Sequence, residues 1–335
     1  MTPARTLLQP HSEPIRFHCP FCDRIETIFP RTDSCTHCGG RYSTDSGVLN
    51  LVQAGTDRTE EQAFYNSVYG APADSLRRSV ADCQKLWARR DQPELAAVRR
   101  AVGNLEAKDV LLLGNGASHK ELAFLLDRPS TLVYSDLSPN AGGRMQQLYD
   151  LADYSDRLVF AAIDAQRLPF DVESFDVVYA YAMVHHLPRI EQFVEQVYRS
   201  LRPGGRAIFM DDAYAPFWHG AKQTWLRPLM RYSHRRTGIS PEDYRFSMTG
   251  GFRESELEKT IKGVGAEPWF VRTSFITYIV FRGIEKLLPA GLSEALKTSW
   301  LPSLTSAVDD VLGRFRVFRI NQIRLVWGFA RPPRS

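Results

Sequence analysis

Cysteine is scarce in this chain, and long apolar runs are missing from it. Only five cysteines serve 335 residues, and four of them lie between Cys19 and Cys38, with Cys83 alone. A fold stapled throughout by disulfides is thereby excluded. No apolar run reaches the ~18–20 residues that a membrane-spanning helix needs. The N-terminus has no apolar segment of the kind a secretory signal carries, which predicts a cytosolic chain. Repeats and low-complexity tracts are also absent. With 44% hydrophobic and 24% charged residues, disorder and a coiled coil are excluded and a sizeable core can form.

Neither charge sign dominates, but the two are unevenly placed. Residues 1–215 hold 23 Lys/Arg against 28 Asp/Glu, a balance of −5, whereas residues 216–335 hold 19 against 10, a balance of +9. The C-terminal third is therefore expected to meet an anionic partner: nucleic acid, a phosphorylated or carboxylated substrate, or a membrane surface.

The four clustered cysteines read Cys19-x2-Cys22-x12-Cys35-x2-Cys38. Two such pairs can bring four thiolates to one tetrahedral Zn²⁺. The alternative, two disulfides in a secreted module, conflicts with the cytosolic expectation. A four-thiolate shell leaves no open position, so the metal would be structural.

The chain divides into a leader (1–14), a ribbon (15–54), N-terminal helices (55–107) and an α/β region (108–335). In the last, short apolar runs alternate with helical stretches. Val110–Leu113, Thr131–Ser135, Leu158–Ile163, Phe175–Tyr179 and Arg206–Met210 read as strands of a parallel, doubly wound sheet. Gly114-Asn115-Gly116-Ala117-Ser118 follows the first strand and opens toward a helix. Glycines at such a turn let backbone N–H groups approach a ligand; an ordinary strand–helix turn is the alternative. Asp136 closes the next strand 20 residues after Gly116, where a carboxylate can accept both hydrogen bonds of a ribose diol. Asp164 closes the third strand, where it could accept from an adenine amino group. A single acid at a strand end is commonly a helix cap, but two beside a glycine turn favour a nucleoside site.

Six segments carry a resemblance: Val110–Gly116, Tyr134-Ser135-Asp136, Asp164–Phe170, Ser174–Val178, Val184-His185-His186-Leu187-Pro188 and Leu201–Gly205. As an ordered set they resemble class I S-adenosylmethionine-dependent methyltransferases, in particular the branch with quinone-ring and small-molecule enzymes. The resemblance implies a Rossmann-like seven-stranded sheet whose last strand is antiparallel. It also implies that Gly114 and Gly116 line the methionine part of S-adenosyl-L-methionine, Asp136 the ribose, and Asp164 with Ala165 the adenine. Asn115, Leu137 and Tyr181 complete the expected cofactor site. The chain departs from the family at Leu112, where an acid is usual, and at Ser118, where a third glycine is usual. The ribbon, with Gly40-Arg41-Tyr42 and Asp45–Val52, resembles small zinc modules that accompany methyltransferases. Phe64, Tyr65 and Tyr69 either cap the cofactor or are simple helix packing.

Methyl transfer to a hydroxyl or acidic carbon requires alignment and removal of a proton. His185 and His186 are the candidate catalytic residues, since imidazole titrates near neutral pH. An inserted lid over 213–250 mixes aromatic and basic residues, and Tyr214, Trp218, Arg227 and Arg231 are candidate acceptor contacts. Inserted helices over 274–319 would cover a bulky acceptor, form a homodimer interface, or rest peripherally on the inner membrane surface. The expected function is methylation of an oxygen or carbon on a small or lipid-like, anionic acceptor in the cytoplasm. The alternatives are an RNA base methyltransferase gripping ribosomal RNA through the ribbon and the basic third, and a non-catalytic binding protein.

Overall fold

The computed structural model describes residues 14–29, 33–53, 58–70, 77–89, 91–116, 118–217, 251–277, 280–281 and 288–334. The N-terminal module begins with an antiparallel pair, β1 (Arg16–His18) and β2 (Ile25–Thr27). A short strand β3 (Leu49–Asn50) ends it. Three helices follow: α1 (Thr59–Tyr69), α2 (Val80–Trp87) and α3 (Pro93–Val102). Ser79 caps α2 reciprocally with Asp82, while Pro93 opens α3, where a missing N–H costs nothing.

The sheet then runs β4 (Asp109–Leu113), β5 (Thr131–Asp136), α4 (Pro139–Leu148), β6 (Leu158–Ala162), β7 (Phe175–Tyr181), α5 (Ile190–Ser200) and β8 (Leu201–Asp212). After the segment outside the described residues come α6 (Glu254–Gly263), β9 (Glu267–Thr273), α7 (Ala290–Thr298), α8 (Leu301–Leu312), α9 (Arg316–Arg319) and β10 (Arg324–Ala330). The strand order is β3-β6-β5-β4-β7-β8-β10-β9. Strands β3 to β8 pair in parallel, and β10 is antiparallel to both β8 and β9. This is an α/β Rossmann-like fold with its last strand antiparallel.

Two expectations need correction. The sheet has eight strands rather than seven, because Leu49 and Asn50, expected in the ribbon, pair with Ala161 and Ala162 of β6. A two-residue strand is too short to leave a periodicity in sequence; only the free edge of β6 reveals it. The helix expected after the glycine turn is a 3₁₀ helix over Lys120–Asp127.

Alternation along the strands builds two cores, one per sheet face. Leu111, Val133, Val159 and Val178 point to one face, where α5 and α6 contribute Phe193, Val197, Leu257 and Ile261. The ribbon residues Ile15, Phe17, Cys35 and Tyr42 belong to that same cluster. Val110, Leu112, Leu132 and Tyr134 point to the other face, covered by Val80, Cys83, Val98 and Val102 of α2 and α3. The ribbon is also tied in by backbone bonds, His18 N–H to Pro169 O at 2.7 Å and Leu51 N–H to Ala162 O at 2.9 Å.

Candidate functional site

The sheet order reverses at β4, whose neighbours are β5 and β7. Loops leaving the carboxyl ends of strands diverge at such a point and leave a crevice. A cavity of ≈ 220 Å³ lies there. Gly114, Asn115, Gly116, Asp136, Leu137, Ala165, Tyr181 and His186 line it, together with Arg58, Glu61, Tyr65, Tyr69, Ile163, Ala182 and Met183. Most of the residues expected to bind a cofactor are thus brought together, and α1 closes the site from above.

The glycine turn is required by its geometry. Gly114 and Gly116 have φ of +59° and +54°, and a Cβ would strike Met183 at the first and the Tyr69 hydroxyl at the second. Between them, Asn115 is 5% exposed, and neither its Oδ1 nor its Nδ2 has a hydrogen-bond partner among the described residues. A buried amide left without partners is costly, so these atoms call for a polar ligand in the cavity. Asp136 Oδ2 accepts from Gly116 N–H at 2.8 Å and Oδ1 from Ser138 N–H at 3.0 Å. Each oxygen keeps a second lone pair for a ligand hydroxyl. Burial pushes this carboxyl up to about 6, against the lowering effect of the two N–H groups and Arg58.

Asp164 is placed differently. It is 3% exposed and does not line the cavity; its Oδ1 accepts from Gln166 N–H at 3.0 Å and lies 3.6 Å from Arg58 Nη1. Arg58 also holds Glu61 at 2.6 Å, so a buried guanidinium joins two carboxylates at the cavity wall. Neither Arg58 nor Glu61 is among the residues expected from the sequence to line the site. The Arg-x-x-Glu spacing at a helix start was the available signal. Tyr65 and Tyr69 stack with ring centroids 6.0 Å apart and both line the cavity, whereas Phe64 does not.

The two departures at Leu112 and Ser118 have one explanation. Leu112 is fully buried between Tyr134 and Tyr179 on the neighbouring strands, where a carboxylate would be desolvated. The buried acid on that face is Glu121 instead. It accepts from the Tyr179 hydroxyl at 3.1 Å, from Lys120 Nζ at 2.9 Å and from Ser118 Oγ at 2.6 Å, while the Tyr134 hydroxyl donates to Ser118 O at 2.5 Å. Ser118 therefore does what a glycine could not. Ser118→Gly is expected to lower unfolding free energy by ~1–3 kcal/mol in a urea titration, because the buried Glu121 side chain loses a hydrogen-bond donor it cannot replace with water.

The histidines separate. His186 lines the cavity, with its ring edge-on to Tyr65 at 6.2 Å. His185 does not line it; its Nδ1 lies 2.8 Å from Asp211 Oδ1, and Asp211 is fully buried. Burial pushes the His185 ring down, but the Asp211 hydrogen bond and charge outweigh that and hold it above the ordinary histidine value. Asp211 is not among the residues expected from the sequence; its pairing with a histidine 26 residues earlier depends on β8 lying beside β7.

Tyr214 stands apart from the cavity, with the Arg253 guanidinium 4.0 Å from its ring centroid. Trp218, Arg227 and Arg231 lie outside the described residues, as does the lid beyond residue 217.

In the ribbon, one Sγ from each of Cys19, Cys22, Cys35 and Cys38 lies within 4.8 Å of the others. Cys19 and Cys38 are 3.9 Å apart, and Cys22 and Cys35 are 3.7 Å apart. Tetrahedral Zn²⁺ with Zn–S of about 2.3 Å requires S···S separations of about 3.8 Å, so the four thiols fit the ion. The Phe21 and His37 N–H groups donate to Cys19 and Cys35 Sγ at 3.4 Å.

Residues 111–209 match the family model described as a methyltransferase domain. The chain is 33% identical over 120 residues to 27-O-demethylrifamycin SV methyltransferase of Amycolatopsis mediterranei, covering 36% of this chain and 35% of that protein. It is 36% identical over 112 residues to phthiotriol/phenolphthiotriol dimycocerosates methyltransferase of Mycobacterium leprae, covering 32% and 39%. With a sterol 4-C-methyltransferase of Caenorhabditis elegans it shares 31% identity over 211 residues, covering 58% and 62%. The chain thus spans between about a third and three fifths of the length of these curated relatives. A solved structure of Haemonchus contortus phosphoethanolamine N-methyltransferase 2 is 13% identical, with a TM-score of 0.49 over 83% of this chain and 58% of that one. The stretch that matches this family model, residues 111–209, lies at the centre of the Rossmann-like sheet, from β4 into β8.

Proposed function

We propose that the protein is an S-adenosylmethionine-dependent methyltransferase that methylates an oxygen or carbon of a small or lipid-like acceptor. The observation that carries this reading is the crevice at the switch point, where a buried Asn115 amide without partners faces the same cavity as the Asp136 carboxylate. When bound, S-adenosyl-L-methionine supplies an electrophilic methyl group on a sulfonium. In this reading the Gly114–Gly116 turn and Asn115 hold its amino-acid part, Asp136 its ribose diol, and Leu137, Ile163 and Ala165 its adenine, with Asp164 fixing the Arg58 that walls that end. Tyr65, Tyr69 and Tyr181 exclude water. The relatives named for rifamycin 27-O and sterol 4-C methylation support oxygen or carbon as the target. The +9 balance of residues 216–335 supports an anionic acceptor. The division into ribbon, capping helices over 55–107 and a catalytic region over 108–335 belongs to the same reading, as does a structural Zn²⁺ on the four cysteines.

His185, outside the cofactor cavity but with its ring centroid 4.1 Å from that of the cavity-lining His186, would take the proton of an acceptor bound beside that cavity. With Nδ1–H donating to Asp211 Oδ1, the lone pair rests on Nε2 and the ring is oriented. A base must be neutral to act, so the rate should rise with pH through a histidine value held above the ordinary range. Asp211→Asn is expected to move that acid limb to lower pH and to reduce kcat by about tenfold. An unmoved limb would remove His185 from this role. Incubating cell extract with label in the transferable methyl group tests the function as a whole. Label is expected in an extractable small molecule or lipid; label in RNA would replace that acceptor class, and label nowhere would leave only a binding protein.

A further inference from the structure

Helix α8 is built inside out. Its buried side carries Pro302, Thr305 and Asp309, while Leu304, Val308 and Val311 along the neighbouring side are 49%, 37% and 53% exposed. Spacing of i, i+4 and i+7 makes these three one stripe. The rotation of the helix is locked by Asp309, whose carboxylate accepts from the backbone N–H groups of Phe275, Ile276 and Thr277 at 3.1, 2.6 and 3.1 Å. The helix therefore cannot turn its apolar side inward without breaking these three bonds and leaving their buried partners unsatisfied.

The stripe continues at both ends. Trp300, before the helix, is 70% exposed, and Phe315 and Val317, after it, are 59% and 62% exposed. Single exposed apolar residues are ordinary, but a contiguous run ending in aromatics marks a contact surface. Cations alternate with it: Arg314, Arg316 and Arg319 are all exposed, and no Asp or Glu follows Asp310 in the chain. Aromatic and aliphatic side chains interleaved with arginines suit the boundary between acyl chains and anionic headgroups. We propose that α8 and α9 form a docking surface for an anionic lipid bilayer.

Its position gives this surface a use. Helix α9 leads within five residues into β10, and Arg324 at the start of β10 pairs with Asp212 at the carboxyl end of β8. That end of β8 lies beside Tyr181 at the end of β7, which lines the cavity. The docking surface and the site therefore open on the same edge of the sheet. None of the helices among the described residues is long and apolar enough to cross a membrane, so the contact is peripheral.

The test is flotation of the full chain with phosphatidylcholine vesicles, with and without phosphatidylglycerol. Partition onto the anionic vesicles alone is expected, and salt should weaken it. The double variant Val308→Glu/Val311→Glu and the variant Arg316→Glu/Arg319→Glu should each reduce partition by about tenfold or more while leaving the thermal midpoint unchanged. Absence of partition, or partition that neither variant alters, would overturn the proposal. Light scattering that finds a dimer broken by Val308→Glu/Val311→Glu would assign the face to a second copy instead. Neither readout depends on methyl transfer, so the surface and the enzymatic reading stand or fall separately.

Discussion

Asp136→Ala is expected to weaken S-adenosylmethionine binding by about a hundredfold or more in isothermal calorimetry, since it removes both oxygens that can accept from a ribose diol. The substitution also releases the Gly116 N–H from its acceptor, so the glycine turn itself loosens. A pH series separates the two effects. Burial pushes the Asp136 carboxyl up to about 6 in the free protein. Only the ionised form accepts from both hydroxyls without giving up a lone pair to its own proton. Affinity should therefore be full above pH 7 and fall as pH drops through 6, by up to about tenfold per unit. Asp136→Asn should bind weakly and show little of this dependence. Undiminished binding in Asp136→Ala would sink the cofactor assignment.

Stripping the metal is expected to have the second large effect, and at a distance. Elemental analysis of the purified chain should find one zinc per molecule, because four thiolates close one tetrahedral shell. Such sites contribute folding free energy directly, on the order of 10 kcal/mol for small zinc modules. The ribbon has little else to hold it: β1 and β2 are three residues each. Its apolar residues nevertheless sit in the same core as the sheet, and β3 pairs with β6. The segment after β6 supplies Ile163 and Ala165 to the cavity. Chelation, or Cys35→Ser, should therefore lower the thermal midpoint of the whole chain and weaken cofactor binding several-fold. Loss of zinc with an unchanged midpoint and unchanged affinity would show the ribbon to be an appendage.

The parts of the site legible in sequence were those whose chemistry is local. Gly114 and Gly116 are fixed by backbone geometry, and the ladder brings Asp136 beside them because β5 is the next strand in both sequence and space. The parts that were not legible come from distant elements. Glu121 comes from the turn after β4 to accept from the Tyr179 hydroxyl of β7, and Asp211 in β8 reaches His185 just beyond the adjacent β7. Arg58 enters from a helix that no strand pattern locates.

Sequence alone therefore determined the five central parallel strands, their alternation with helices, the four-thiol cluster and the strand-end acids, because each follows from a short-range period or spacing. Tertiary structure alone decided that the ribbon lends an eighth strand to the sheet, that Asp164 lies behind Arg58, and that His185 rather than His186 gains a buried carboxylate. It also decided that α8 turns its apolar side outward. The cause is common to all four: which polar group is desolvated, and beside which partner, depends on packing between segments far apart in the chain, and no local pattern carries that information.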